Sequence, residues 1–157
     1  MQKITPHLWF DDNAEEAIEF YTSIFKNARI IHISRYGKGG PGREGSVMSA
    51  VFQLEDQEFM ALNGGPYFKF NEAVSFFVSC KNQKEIDYYW DALTANGGEE
   101  SMCGWLKDKF GVSWQIVPTI LSRLIGGPDQ ERSANTMKAM LKMKKLDIKT
   151  LEKAYNQ

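Results

Sequence analysis

Short apolar runs and three- and four-residue periodicities succeed one another along the chain, and the two rhythms occur in the same order twice. His7–Phe10 and Val74–Val78 are brief apolar runs bounded by polar residues and predict strands. Asp12-Asn13 and Lys81-Asn82 follow as candidate helix N-caps. Ala14, Ala17, Ile18, Tyr21 and Phe25 then recur at steps of three and four, which predicts a helix with one apolar stripe. Ile86, Tyr89, Trp90 and Leu93 do the same, ending at the glycine stop Asn96-Gly97-Gly98. Three strands are predicted after each helix: Ala28–Tyr36, Ser46–Leu54 and Glu58–Leu62 in the first half, Glu99–Met102, Gly104–Lys107 and Ser113–Val117 in the second. Glu55-Asp56-Gln57 and Asp108-Lys109-Phe110-Gly111 join the last two of each set as hairpins.

The two halves align directly. A shift of 68 residues lays His7-Leu8-Trp9-Phe10 on Ser75-Phe76-Phe77-Val78, and Ile18-Glu19-Phe20-Tyr21 on Ile86-Asp87-Tyr88-Tyr89. A second match, Leu54-Glu55-Asp56-Gln57 with Leu106-Lys107-Asp108-Lys109, has a shorter offset and implies loops of unequal length. A repeat of this period is a structural unit used twice. The pattern therefore predicts a single α+β domain of two β-α-β-β-β modules, about 1–66 and 72–118, forming a curved mixed sheet around a cleft. A helical extension, 119–157, follows. Arg132–Leu146 carries Met137, Met140, Leu141 and Lys144 along one side, and Ile148–Tyr155 adds a further helical turn or two. That stripe must lie on its own sheet or on a partner subunit.

Strand alternation turns His7 and Trp9 one way and Leu8 and Phe10 the other. With Leu8 and Phe10 under the helix, His7 and Trp9 line the cleft. The same alternation predicts that Phe59, Ala61, Asn63, Ser75, Phe77, Gln115 and Val117 face it too. The candidate ligand-binding set is thus His7, Trp9, Phe59, Asn63, Ser75, Phe77 and Gln115, an apolar and aromatic cavity with a few orienting polar groups. His7 has two readings: a residue that touches a ligand or metal, or a buried histidine hydrogen-bonded to backbone. His32 is the only other histidine. No neighbour in sequence activates Cys103, which reads as a buried packing cysteine. Asp56 and Asp108 read as turn-stabilising aspartates.

Composition narrows the function classes. The 157 residues carry a formal charge of −1, so no positive field gathers phosphates, and neither nucleic acid nor an anionic membrane is an expected partner. The lysines of the tail read as a solvated helix face. The N-terminus lacks a signal-peptide pattern, and no eighteen-residue apolar window occurs. Two cysteines without close spacing fit reduced thiols, and the chain is expected in the cytoplasm. Gly37–Gly42 leads into an antiparallel strand, unlike the strand-to-helix turn at which doubly wound folds hold nucleotide cofactors.

Pro6-His7-Leu8-Trp9-Phe10, Ala14-Glu15-Glu16-Ala17 and Phe20-Tyr21, followed by Cys103–Asp108, Phe110–Pro118 and Met140–Ile148, resemble the vicinal oxygen chelate superfamily. This superfamily has the glyoxalase/bleomycin-resistance fold, and the match is nearest its PhnB-like branch, often labelled demethylubiquinone methyltransferase. The resemblance implies a homodimer and a small-molecule ligand. Metal-dependent members place ligands at positions that correspond here to His7, Ala61 or Asn63, Ser75 and Gln115. A divalent metal held by His7 and Gln115 is therefore the implied cofactor, although serine and carboxamide oxygens are weak ligands for zinc or iron. Three functions stay open: a small-molecule-binding protein, a metal-dependent lyase, isomerase or dioxygenase, and a structural or interaction dimer.

Overall fold

The computed structural model of the chain describes residues 2–157. They form two compact units, one ending at Lys69 and the other spanning Phe70–Gln157. In the first, strand β1 (His7–Phe10) leads into helix α1 (Ala14–Ile24), and strands β2 (Ala28–Arg35), β3 (Val47–Leu54) and β4 (Gln57–Asn63) follow. The sheet order is β1-β4-β3-β2, with β1 parallel to β4 and the other neighbours antiparallel. The second unit repeats it: β5 (Ser75–Cys80), α2 (Gln83–Thr94), β6 (Glu99–Glu100), β7 (Trp105–Lys107) and β8 (Ser113–Pro118), ordered β5-β8-β7-β6. Each module thus owns a complete four-stranded mixed sheet.

Each helix is built by its apolar stripe. Ala14, Ala17, Ile18, Tyr21 and Ile24 are buried in α1, and Ile86, Tyr89, Trp90 and Leu93 in α2. Tyr21 stacks on Phe52 of β3, and Phe52 on Phe59 of β4, which locks α1 to its sheet through aromatic faces. The two helix starts differ. Asn82 accepts the Glu85 amide while Glu85 accepts that of Lys81, a reciprocal cap. Asn13 makes no side-chain cap, and the Ala14 amide instead donates to Asn63 Oδ1 at 2.9 Å.

The hairpins differ as well. β3 and β4 pair down to Leu54–Gln57, whereas β7 and β8 stop at Lys107–Ser113. Ala50 pairs with Ala61, and Ala61 with Leu8, just as Leu106 pairs with Trp114, and Trp114 with Phe76. Leu106 is therefore the counterpart of Ala50. The sequence match of Leu54–Gln57 to Leu106–Lys109 is not a structural equivalence, because the first hairpin runs longer before it turns.

The tail packs on its own module. Helix α3 (Leu121–Gly126), which the apolar pattern did not reveal, precedes α4 (Gln130–Met140) and α5 (Ile148–Tyr155). The predicted helix to Leu146 breaks after Met140, because the backbone from Met143 leaves the helix to pair elsewhere. Met143 and Lys144 carbonyls accept the amides of Cys103 and Gly104. Gln83 of α2 donates to the Leu146 carbonyl and accepts from the Ile148 amide. Val117, Leu121, Leu124, Leu146 and Leu151 form the core beneath these helices.

Candidate functional site

Because β1 and β4 are parallel and in register, His7 lies beside Met60, Leu8 beside Ala61, Trp9 beside Leu62 and Phe10 beside Asn63. Leu8 and Phe10 are buried under α1, as expected. Ala61 and Asn63 share their face, and Phe59 stacks into the same core. Phe59, Ala61 and Asn63 are therefore turned toward the helix and do not line the opposite face. The strand phase was ambiguous in sequence because Phe59 and Ala61 alternate with the equally apolar Met60 and Leu62. A one-residue slip reverses every side chain.

The face of module one turned away from α1 has three cross-strand rows, of which the outermost, Glu58, Gln53 and Arg29, is charged and the two nearest the start of α1 are not. Of these two, one is His7, Met60, Val51 and His32, and the other is Trp9, Leu62, Ser49 and Ser34. Apart from the two histidines they hold no ionisable side chain. His7 is exposed and its side chain makes no hydrogen bond among the described residues, which overturns its reading as a buried histidine bonded to backbone. Trp9 is half-buried and fixed: its Nε1 donates to the Gly65 carbonyl at 2.9 Å, and its ring meets the edge of Phe68 at 5.0 Å. A Cβ at Gly64 would stand 2.3 Å from the indole, so only glycine lets the ring lie there.

In module two, Ser75 lies beside Ser113, and Phe77 beside Gln115, with Trp105 on the far side of Gln115. Gln115 thus stands between two aromatic side chains, with Ser75 in the adjacent row. Gln115 Nε2 donates to Ser75 Oγ at 2.9 Å. Phe77 is 58% exposed. Val117 belongs to the same face, but the tail helices bury it, so it lines no open surface. Lys107 pairs with Glu72, whose carboxyl the ammonium holds below its usual range. Sequence reasoning missed Met60, Leu62, Val51, Trp105 and Phe68. The pairing of β7 with β8 was the signal for Trp105, since alternation sets it opposite Gln115.

The register also identifies the fourth position of the implied metal set. Gln115 is the cross-strand partner of Phe77, and Leu62 is the partner of Trp9, the counterpart of Phe77. The corresponding set is therefore His7, Leu62, Ser75 and Gln115. One imidazole, a hydroxyl, a carboxamide and an aliphatic chain do not make a divalent-metal site. No group of three or more His, Cys, Asp or Glu side chains able to hold a metal ion occurs among the described residues.

The remaining candidates are structural. Asp108 is buried, and accepts from the amides of Phe110 and Val112 and from Trp114 Nε1, so it holds its hairpin as expected. Cys103 is half-buried, not buried, and lies in the β6–β7 connection with a φ of 59°. A groove of about 520 Å³ lies at the N-terminus of α1, lined by Asp12, Glu15, Glu16, Glu19, Arg43 and Asn63 among others. It is acidic and separate from the His7–Trp9 face.

Comparison with known proteins places these features. The sequence profile of the 3-demethylubiquinone-9 3-methyltransferase family matches residues 2–117. Among solved structures, a PhnB protein from Bacillus cereus, described as a putative 3-demethylubiquinone-9 3-methyltransferase, is 42% identical. It covers 75% of this chain and 100% of its own, with a TM-score of 0.71. A protein from Pseudomonas aeruginosa is 22% identical over 75% of this chain and 98% of its own, at a TM-score of 0.64. The fosfomycin resistance protein FosX from Mesorhizobium loti shares the fold at 14% identity and a TM-score of 0.51, over 73% of this chain and 90% of its own. No curated protein matches.

Proposed function

The chain belongs to the 3-demethylubiquinone-9 3-methyltransferase family, as a PhnB-like member of the vicinal oxygen chelate superfamily, and on that premise we propose that it binds an uncharged aromatic small molecule. Each module offers a face for such a ligand: His7 and Trp9 over an apolar floor of Met60 and Leu62 in module one, and Ser75, Phe77 and Gln115 in module two.

One observation carries the reading. Trp9 is held in a single orientation by Gly65 and Phe68, and neither its own cross-strand row nor the adjacent one contains a carboxylate, ammonium or guanidinium; the charged pair Glu58 and Arg29 stands one row further away. A preorganised aromatic ring on an uncharged floor favours stacking with a flat apolar ligand, because neither partner loses a charge's hydration. The donor set supports binding without a divalent metal. The glycine-rich run joins antiparallel β2 and β3, and so does not form a nucleotide cradle between strand and helix.

The test is a thermal-shift screen of aromatic compounds against the full chain and Trp9→Ala. A ligand that binds only the folded state must raise the melting temperature. Stabilisation by some aromatic compounds, lost in Trp9→Ala, is expected. If no aromatic compound stabilises the protein, the proposal fails. Pairing of two copies belongs to the same proposal and is read by light scattering. A reducing cytoplasm suits the two free thiols, one of them buried. No helix among the described residues is long and apolar enough to cross a membrane.

A further inference from the structure

We propose, on the premise of the ligand reading above, that the Ser75–Gln115 pair recognises a ligand edge on which a hydrogen-bond donor sits beside an acceptor, as in a lactam (N–H beside C=O). The argument starts from a count of hydrogen-bonding groups. A carboxamide offers two N–H donors and one carbonyl acceptor, and a hydroxyl offers one donor and two lone pairs. The bond of 2.9 Å between Gln115 Nε2 and Ser75 Oγ uses one donor and one lone pair. It leaves the Gln115 carbonyl free to accept and the Ser75 hydroxyl free to donate. If the amide is turned over, Ser75 donates to the carbonyl, and the free groups become the two N–H donors of Gln115 and the two lone pairs of Ser75. In either orientation the pair can present a donor on one side chain beside an acceptor on the other. A lactam edge is complementary to both.

The surroundings favour a planar, uncharged ligand. Gln115 stands between Phe77 and Trp105 in one cross-strand row, so the carboxamide is flanked by two rings. Neighbouring strands about 4.8 Å apart bring those side chains within reach of a single fused ring system. Lys107, in the row of Ser75 and Ser113, pairs with Glu72 and has Glu99 as its neighbour across the sheet, so no unaccompanied cation stands in that row. Ser113 lies beside Ser75 on the same face, 1% exposed, and its Oγ has no hydrogen-bond partner among the described residues. That hydroxyl is closed to a ligand on this face, so recognition falls to the more exposed Ser75–Gln115 pair alone.

The experiment uses three probes of one shape: isoquinolin-1-one, its N-methyl derivative and 1-methoxyisoquinoline. Affinities are read by NMR titration of the full chain, following the amides of residues 75–77 and 113–115. The lactam is expected to bind about tenfold more tightly than either derivative, the ratio that one well-made hydrogen bond gives. Ser75→Ala and Gln115→Leu should each reduce that preference to about twofold or less. Ser75→Ala is the milder change and carries the test if Gln115→Leu does not fold. Equal binding of all three probes, or a preference that survives both variants, overturns this inference and leaves the aromatic reading standing. Binding of none of the three, together with an empty thermal-shift screen, overturns both.

Discussion

Asn63 separates a ligand-contacting role from a helix-capping one. The structure gives its side chain to the first amide of α1, 2.9 Å from Ala14, at a helix start where Asn13 supplies no cap. Asn63→Ala leaves that amide without a partner in a buried setting, since Ala14 is fully buried and Asn63 is 6% exposed. An unsatisfied buried donor costs about 1–3 kcal/mol, and loss of an N-cap about 0.5–2 kcal/mol. These describe one event, so they are not summed, and about 2 kcal/mol is the expected loss. For a chain of this size that lowers the melting temperature by about 4–8 °C. Asn63→Asp keeps an acceptor and adds a charge favourable at a helix N-terminus, against the repulsion of Asp12, Glu15 and Glu16 in the same groove. It should stay within about 1 kcal/mol of wild type. Calorimetric melting of the two variants, with affinity for a screened aromatic ligand, is the assay. If Asn63→Ala melts like wild type but binds the ligand more weakly, the capping argument is wrong and the side chain serves the ligand.

Three further outcomes are expected. Gly64→Ala places a methyl against the Trp9 indole, displacing the ring from Gly65 and Phe68. It should cost about 1–3 kcal/mol and shift Trp9 fluorescence, measured against a Trp9→Phe control. Asp108→Ala orphans three donors, two of them on the buried residues Val112 and Trp114, and should cost on the order of 3–5 kcal/mol by denaturant unfolding. Burial, helped by the Glu85 carboxylate, raises the Cys80 thiol from 9.0 to about 12. The unfolded chain then loses that proton first, so this stability is complete below pH 9 and is lost as pH rises toward about 12. Unfolding free energy followed from pH 8 to 11 should fall less steeply in Cys80→Ala than in wild type.

The repeat was legible because both rhythms leave marks in residue type. Strand runs such as His7–Phe10 are short and apolar on alternate sides, and Ile86, Tyr89, Trp90 and Leu93 are large residues at helical spacing. Faces were legible wherever one side of a strand is polar. In β1 the burial of Leu8 and Phe10, with His7 left exposed, follows the sequence. In β4, Phe59-Met60-Ala61-Leu62 is apolar on both sides, so only pairing with β1 decides which face each takes. Asn63 resembled an orienting ligand contact because the use of a distant asparagine as a helix cap is a tertiary event, invisible at a separation of 49 residues. The tail was misread where polar Lys142–Lys145 kept a helical look, while backbone pairing to Cys103 and Gly104 pulled Met143 and Lys144 out of the helix.

The clasp between tail and α2 bears on where this chain can be cut. The family profile ends at residue 117, which invites a shortened version of the protein. Such a version would strip Val117 of its cover, free both ends of the Gln83 amide, and leave the Cys103 and Gly104 backbone N–H groups without acceptors. The conserved outline of the family and the smallest self-supporting piece of this polypeptide are therefore different objects, and a trimmed version should precipitate where the whole one stays dissolved.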